Sequence, residues 1–416
     1  MRKLLNASCV AFFFFSLLIS STARSNTIYE GRTRGGALIK IEIPDNWNGG
    51  LVIYNHGSGV DITQSPDLGP IAALQLFEGY AVAASSYRLS IWPLFKTKYD
   101  LQNLVRKFRR KFGVPSEIYL YGFSVGGLVT AQGIEQARLG NVVGAYPVCG
   151  VMAGSRYWDG VLDWRLVYDA ICSEVPGAYI PGGPTGLPEG FTDSDFTPAD
   201  LTSALQSCFG LGTDPSARTT DQAARLQLFV DETNMPETIV ARNVGTSVYG
   251  LFGLIYSKGH LRGKQALGNA NVQYEDPGIN ANIQRVSPHR RAMKHLKRNF
   301  TPTGNVGNTK IISISTSKDG RAFIENLQVY RDVVPSSNLT VAVVAEEESS
   351  HCEFSQAEFV AGWEALRYWV STGYQPGVSD IQNGCSQIAA TPEFDGPCRF
   401  DPAFVIPNLD NRIPPR

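Results

Sequence analysis

The stretch that decides the fold is IYLYGFSVGGLVTA, residues 118–131. Four residues that favour β-structure lead into a serine flanked by glycines, and a helix-compatible apolar segment follows. Residues 122–126, GFSVG, match the G-x-S-x-G nucleophile elbow, in which a strand turns sharply into a helix and exposes a serine hydroxyl. The strand–turn–helix context therefore predicts Ser124 as a nucleophile. The alternative is a tight turn that happens to contain a serine.

Strand-like and helical segments alternate around this stretch. Nearly continuous apolar runs occur at residues 50–59, 79–88, 142–150, 309–320 and 339–347. Apolar strands separated by helices indicate a parallel sheet covered on both faces. A last helix is predicted after Ser355, where Glu358 completes a capping box. The fold class is therefore α/β.

Two intervals break this rhythm. Residues 151–308 contain helix-like segments and connectors rich in proline and glycine. This interval is too long to be a loop. It is predicted to be an inserted helical lid between the two parts of the core, residues 26–150 and 309–373. Residues 374–416 have little periodicity and are predicted to be an extension that wraps the surface.

The N-terminus has the pattern of a signal peptide. Arg2 and Lys3 precede the apolar run ASCVAFFFFSLLIS, and small residues suited to cleavage follow. We expect residues 1–25 to be removed and the mature protein to be secreted or periplasmic. The alternative is an uncleaved anchor, although the apolar run is shorter than the roughly 20 residues that a membrane span needs. No second run is long enough.

From the charge of the chain we expect no nucleic-acid partner. Loss of residues 1–25 removes three basic and no acidic residues, so the formal net charge falls from −1 to −4. The basic run RKFRRKF, residues 106–112, alternates with apolar residues at helical spacing. We interpret it as the outer face of an amphipathic helix.

Of the seven cysteines, Cys9 is lost with residues 1–25 and six remain. An even number of cysteines in an exported chain suggests disulfides, although six allow 15 pairings. Cys385 and Cys398 are close in sequence, and Cys172 and Cys208 both belong to the insertion. Cys149 and Cys352 remain, and a bond between them would tether the loop after the last strand. The alternatives are two separate thiols, or a bond from Cys352 to Cys385. No CxxC pair occurs, so we expect no metal site.

A serine nucleophile needs a base and an acid that orients it. Of the five histidines, His351 follows the last strand, at the sheet edge where open α/β sheets bind ligands. Asp319 ends the preceding strand at the same edge, with Glu346 to Glu348 as rival acids. Asp319 is also a good turn residue in its Lys-Asp-Gly setting. The predicted catalytic residues are therefore Ser124, Asp319 and His351.

An oxyanion hole is expected from two backbone N–H groups. Val125, after the nucleophile, supplies one, and the loop NHGSG after an earlier strand supplies the other. We favour Ser58 as that second donor, with Gly57 as the alternative. His56 is predicted to hold the loop by hydrogen bonds.

These motifs resemble those of secreted serine hydrolases of the α/β-hydrolase superfamily, in particular the lidded bacterial esterase- and peptidase-like members. The resemblance lies in the elbow and in three further segments: HGSG (residues 56–59), YPVCGVMAG (146–154) and SHCEFSQAEFVAGWEALRYW (350–369). It also includes the end of the insertion, from NANVQYEDPG (269–278) to NFTPTG (299–304). It implies the α/β-hydrolase fold and hydrolysis of an ester or related acyl bond without a cofactor. Ser350 stands where the family usually has a glycine.

The predicted function is an exported serine esterase acting on a small-molecule or polymeric ester through an acyl-enzyme. The first alternative is a peptidase or amidase with the same residues, and the second is a binding protein on an inactive hydrolase fold. Aromatic residues of the insertion are either substrate contacts or lid core. Trp158, Tyr249 and Phe252 are the predicted substrate contacts. The sequence leaves the substrate and the oligomeric state open.

Overall fold

The computed structural model describes residues 26–192, 194–394 and 396–416. The predicted signal peptide, residues 1–25, lies outside the described residues. The centre of the fold is an eight-stranded sheet. Its strands are β1 (Thr27–Arg32), β2 (Leu38–Ile43), β3 (Gly50–Asn55), β4 (Ala81–Ser85), β5 (Glu117–Phe123), β6 (Val142–Val148), β7 (Lys310–Thr316) and β8 (Leu339–Val344).

The helices lie between and around the strands. The α-helices are α1 (Ala72–Phe77), α2 (Thr97–Phe112), α3 (Val125–Gln136), α4 (Arg156–Cys172), α5 (Pro198–Phe209), α6 (Thr220–Thr233), α7 (Val240–Gly245), α8 (Leu251–Tyr256), α9 (Pro277–Asn282), α10 (Arg290–Arg298), α11 (Asn326–Val333), α12 (Gln356–Thr372) and α13 (Val378–Ile388). A π-helical segment, Thr246–Gly250, joins α7 to α8.

The strand order is β1-β2-β4-β3-β5-β6-β7-β8. Strand β2 pairs antiparallel with β1 and β4, and all the pairs from β4 to β8 are parallel. This mostly parallel sheet with helices on both faces is the α/β-hydrolase fold, as predicted. The parallel strands end at one edge, which collects the loops after β3, β5, β6, β7 and β8.

Both faces of the sheet are buried, which explains the continuous apolar runs. In β5, Ile118 and Leu120 belong to one hydrophobic core, and Tyr119 and Tyr121 to the other. Successive side chains of a strand point to opposite faces, so a strand buried on both sides needs apolar residues at every position. The basic run lies in α2, where Phe108 is buried while Arg106 and Arg110 are exposed, as predicted.

Helices α4 to α10 all lie between β6 and β7. No strand occurs among the described residues of this interval, which agrees with the helical pattern of residues 151–308. Buried residues of α4, including Leu162 and Leu166, share one continuous hydrophobic core with Leu51 and Ile53 of β3. The helices of the interval therefore pack on the sheet through a common core. None of the helices in the described ranges is long and apolar enough to cross a membrane.

The C-terminal extension is more ordered than its sequence suggested. It contains α13, which packs against α12, and Phe400 forms a β-bridge with Val344 of β8. Helix α13 begins after Gly377, whose N–H donates to the carboxylate of Asp380 at 2.8 Å. Its inner face has apolar residues at helical spacing: Val378, Ile381, Cys385 and Ile388. This helix was not anticipated from the sequence, because its apolar stripe is short and lies in a segment that otherwise has little periodicity.

Candidate active site

Ser124 lies between β5 and α3 in a strained backbone conformation. Its φ and ψ are 56° and −124°, a region that residues with a side chain rarely adopt. Its N–H donates to the carbonyl of Val148 in β6 at 3.0 Å, and its carbonyl accepts from Gly127 at 2.9 Å. These bonds hold the turn, and the hydroxyl projects at the carboxyl edge of the sheet.

Gly122 and Gly126 allow the backbone segments of the elbow to approach one another. A Cβ atom at Gly126 would lie 2.0 Å from the carbonyl oxygen of Asn55, and one at Gly122 would lie 2.3 Å from the same atom. This oxygen is a main-chain atom of β3, so no side-chain rotation relieves either clash. The close packing of β3, β5 and α3 thus requires glycine at both positions.

Replacing Gly126 with alanine is expected to destabilise the protein by about 3 kcal/mol or more, because the central strand must move away from α3. Urea unfolding followed by circular dichroism measures the effect. Gly384→Ala in α13 is the matched control, since a Cβ there meets no atom within 4 Å. The control is expected to raise stability by about 0.5–1 kcal/mol. A Gly126→Ala protein as stable as the wild type would contradict the packing described.

Ser124, His351 and Asp319 form one chain of hydrogen bonds. The Ser124 Oγ atom lies 2.9 Å from Nε2 of His351, and Nδ1 of His351 lies 2.9 Å from each carboxylate oxygen of Asp319. A carboxylate only accepts, so Nδ1 carries the proton and Nε2 is free to accept from the serine hydroxyl. The structure brings together the three residues predicted from the sequence.

The Asp319 carboxylate is fixed by its own loop. Its side chain is fully buried, and it accepts from the backbone N–H of Arg321 at 2.9 Å and of Ala322 at 2.8 Å. The rival Glu346 instead accepts from the hydroxyl of Ser350 and from the backbone of Lys318. The histidine is therefore oriented by the acid at the end of β7.

The two predicted oxyanion donors come from separate parts of the chain, Val125 after β5 and Ser58 after β3. Val125 is the first residue of α3, where backbone N–H groups have no partner within the helix. Ser58 and Val125 line the same cavity as Ser124. Gly57 is also close, because a Cβ there would lie 3.4 Å from Cβ of Ser124. Ser58 and Gly57 thus both stay candidates for the second donor.

His56 holds the loop between β3 and α1. Its ring stacks on Tyr87 with centroids 4.1 Å apart, and its Nδ1 atom lies 2.7 Å from the carbonyl oxygen of Gly57. Burial lowers the pKa of His56, which keeps the ring neutral. The Tyr87 hydroxyl donates to the His56 carbonyl at 3.3 Å. These contacts fit the structural role that the sequence indicated.

A disulfide ties the histidine loop to the sheet. Cys149, after β6, is bonded to Cys352, with Cα atoms 5.4 Å apart. The backbone N–H of Cys149 donates to Ile314 of β7 at 2.8 Å. Cys172 is bonded to Cys208 between α4 and α5, and Cys385 to Cys398 in the C-terminal extension. These are the three pairs that the sequence favoured.

Cys149, Cys352 and Asp319 are also the one group of possible metal ligands that lies close together within the described residues. Their ligand atoms lie within 4.8 Å of one another. The two sulfur atoms are bonded to each other and cannot act as thiolate ligands. The carboxylate is already engaged by His351 and three backbone N–H groups.

Replacing both Cys149 and Cys352 with serine is expected to lower the free energy of unfolding by about 2–4 kcal/mol, because the disulfide closes a long loop. It is also expected to lower kcat, because the disulfide anchors the residue next to His351. Urea unfolding and ester turnover measure the two effects. The matched control is Cys385→Ser/Cys398→Ser, which is expected to lose stability without a comparable fall in kcat. Equal losses of kcat in both proteins would contradict a role in holding His351.

A cavity of about 430 Å³ opens at Ser124, within the size range of small-molecule sites. Trp158 and Tyr249 line it, as predicted. Phe252 does not line it, and its ring packs on Tyr256 with centroids 5.5 Å apart. Several lining residues were not singled out from the sequence: Ser90, Ile91, Trp92, Tyr157, Arg242, Thr246 and Arg321.

The position of Phe252 outside the wall of the cavity has a local cause. Residues 245, 246, 249 and 250 line the cavity, and all four belong to the end of α7 or to the π-helical segment. A π-helix has more residues per turn than an α-helix, so it shifts which later residues face the cavity. An α-helical spacing from Tyr249 does not anticipate this shift.

No family model matches the chain, and no curated protein matches it. Solved structures give distant likenesses. The esterase Pf2001 of Pyrococcus furiosus is 13% identical with a TM-score of 0.41, covering 85% of this chain and 92% of that chain. The cell-wall-degrading esterase LipA of Xanthomonas oryzae is 14% identical, TM-score 0.39, covering 78% and 83%. Dipeptidyl peptidase 4 of Porphyromonas gingivalis is 10% identical, TM-score 0.36, covering 78% and 32%. At these values the likenesses carry no argument about activity, and the fold assignment rests on the sheet topology.

Proposed function

We propose that this protein is a serine hydrolase that cleaves a carboxylic ester through an acyl-enzyme intermediate. The observation that carries the proposal is the unbroken hydrogen-bond chain from Ser124 through His351 to Asp319, opening into a cavity of about 430 Å³. Ser124 is the nucleophile, His351 the general base and acid, and Asp319 the group that orients the imidazole. This geometry favours a hydrolase over a binding protein on an inactive hydrolase fold.

The reaction follows from the positions of these atoms. Ser124 Oγ attacks the ester carbonyl carbon while its proton passes to Nε2 of His351. The oxyanion accepts hydrogen bonds from the N–H of Val125 and from that of Ser58 or Gly57. The bond to the leaving oxygen then breaks, and His351 gives that oxygen its proton. Water then attacks the carbonyl carbon of the acyl-enzyme while His351 accepts its proton. The bond to Ser124 Oγ breaks, His351 returns the proton to that oxygen, and the acid is released.

Export to an oxidising compartment is part of the proposal. All six cysteines of residues 26–416 are in disulfides, which persist outside the reducing cytoplasm. The signal-peptide pattern of residues 1–25 supports the same conclusion.

We propose that the helices of residues 151–308 form a lid over the cavity, since Trp158, Arg242 and Tyr249 line it.

A panel of chromogenic aryl esters, set against anilides with the same acyl groups, tests the reaction class. Esters are expected to be hydrolysed, with a burst of released phenol equal to one per chain if deacylation is the slower step. Hydrolysis of anilides in preference to esters would instead establish the amidase alternative. Absence of turnover of every ester and anilide, together with no reaction with a fluorophosphonate, would overturn the proposal.

Ester hydrolysis is expected to rise as the pH increases from about 5 to about 8, because a histidine base must be neutral to accept the serine proton. The profile of kcat/KM against pH measures this for the free enzyme. Circular dichroism at each pH is the control for unfolding. A flat profile over this range in a folded protein would argue against a histidine base.

A further inference from the structure

Two arginines line the cavity at Ser124. Arg242 belongs to α7 in the insertion, and Arg321 follows β7, two residues after Asp319. They come from parts of the chain separated by about eighty residues, and the charge of Arg321 is close enough to lower the pKa of Arg242. The cavity beside the proposed nucleophile therefore has two positive charges on its wall.

Neither arginine forms an ion pair with a carboxylate within the part of the chain that the structure describes. Among the described residues, no Asp or Glu oxygen lies within 4.0 Å of either guanidinium, whereas Arg165 and Arg412 pair with Asp169 and Glu325. The side chain of Arg321 donates to the hydroxyl of Thr246 at 3.3 Å. These charges thus lack the carboxylate partners that arginines such as Arg165 and Arg412 have.

The nearest acid is already engaged. Both oxygens of Asp319 are used by His351 and by backbone N–H groups of its own loop. Tyr157 also lies near both arginines, but burial raises its pKa and it stays a neutral phenol. Arg242 is exposed at the mouth of the cavity, and partial desolvation and the neighbouring Arg321 lower its pKa, although the more distant Asp319 acts in the opposite direction. An anion entering the cavity would relieve this repulsion.

The rest of the cavity wall is largely apolar. Val125, Val151, Trp92 and Trp158 contribute hydrophobic surface, and Trp158 packs edge-on against Trp92 with centroids 5.5 Å apart. Such a wall binds a hydrocarbon or aromatic body, while the arginines bind charge. The cavity therefore suits a molecule that is apolar over most of its length and anionic at one point.

We propose that Arg242 and Arg321 form a subsite for a carboxylate of the substrate, so that the enzyme selects esters bearing a free carboxylate on an apolar acyl or alcohol group. This inference rests on the proposed serine-hydrolase function. Guanidinium groups bind carboxylates through paired, charge-assisted hydrogen bonds, which fix orientation as well as affinity. The carboxylate would align the scissile carbonyl with Ser124.

The test compares substrates that differ only in charge. Acetoxybenzoates, with the carboxylate meta or para, are compared with the corresponding acetoxybenzamides, and 4-methylumbelliferyl glutarate with its neutral glutaramate ester. The quantity measured is the ratio of kcat/KM for the anionic to the neutral ester in each pair. Any difference in intrinsic reactivity cancels when this ratio is compared between enzyme variants.

Arg242→Gln and Arg321→Gln are each expected to lower this ratio by about 10-fold or more for at least one pair, chiefly through a higher KM for the anionic ester. Arg321→Lys keeps the charge and is expected to recover part of the ratio. Arg110→Gln, on the exposed face of α2, is the control and should leave the ratio at its wild-type value. Ratios unchanged in both glutamine variants, or neutral and anionic esters affected equally, would overturn the subsite.

A binding measurement separates this inference from the proposed function. Benzoate is expected to slow labelling of Ser124 by a fluorophosphonate more than benzamide does, and Arg321→Gln should abolish the difference. Equal protection by both compounds in the wild type would overturn the anion subsite and leave the serine hydrolase intact. Absence of any labelling of the wild type would overturn the hydrolase and the subsite with it.

Discussion

Ser124→Ala is expected to lower kcat/KM for an ester by on the order of 10⁴-fold or more, because the nucleophile, base and acid act as a unit. The hydroxyl lies 2.9 Å from the base, and alanine leaves His351 with no proton to take. Activity is measured with the aryl ester that the wild type hydrolyses fastest. The residual activity of the variant should come only from stabilisation of the oxyanion and from binding of the substrate.

Ser371→Ala, at the exposed end of α12, is the control for the loss of a serine hydroxyl, and it should keep wild-type activity. The folds of both variants are compared by circular dichroism and urea unfolding. A folded Ser124→Ala protein that hydrolyses the ester at a near-normal rate would refute Ser124 as the nucleophile.

Asp319→Asn is expected to reduce kcat by about 10⁴-fold with little change in fold. The aspartate accepts the Nδ1 proton of His351 and so leaves Nε2 free to act as the base. The amide of asparagine can donate to Nδ1, which moves the proton to Nε2 and stabilises the wrong tautomer. The loss should appear in kcat more than in KM, because the imidazolium forms only during the reaction.

Glu346→Gln is the matched control for Asp319→Asn. Glu346 accepts from Ser350, next to His351 in sequence, but it makes no contact with the imidazole among the described hydrogen bonds. Its loss should therefore leave most of the activity. A fully active Asp319→Asn protein together with an inactive Glu346→Gln protein would show that the rival carboxylate orients the histidine.

The residues nearest the reaction could be predicted because each follows a strand whose pattern is local. Ser124 has glycines two residues away on either side, Asp319 follows β7, and His351 follows β8. Parallel strands bring their carboxyl ends to one edge, so order along the chain implied closeness in space. The Cys149–Cys352 pair followed from the same reasoning, since both cysteines come after strands of that edge.

The arginines of the cavity could not be predicted in this way. Arg242 has an ordinary helical setting, and its position depends on how the insertion packs across the sheet edge. Arg321 belongs to the turn after Asp319, where its backbone N–H, and not its side chain, bonds to the carboxylate. Nothing in either local sequence indicates a shared cavity, because that closeness arises from tertiary packing.

Strand β1 was missed for a different reason. Its residues Thr27–Arg32 are exposed or half-buried along their length, so they show no apolar alternation. The strand is held by its antiparallel register with β2, in which Thr27 pairs with Ile43 and Arg32 with Leu38. An edge strand without a buried face gives no hydrophobic signal, although its backbone hydrogen bonds are regular.

The most direct test of the central claim is to react the wild-type protein with a fluorophosphonate and to map the modified residue by mass spectrometry of peptides. The account predicts one adduct per chain, on Ser124, together with loss of ester hydrolysis in proportion to labelling. The Ser124→Ala protein should remain unlabelled under the same conditions. An adduct on another serine, or full ester hydrolysis by the labelled protein, would contradict it.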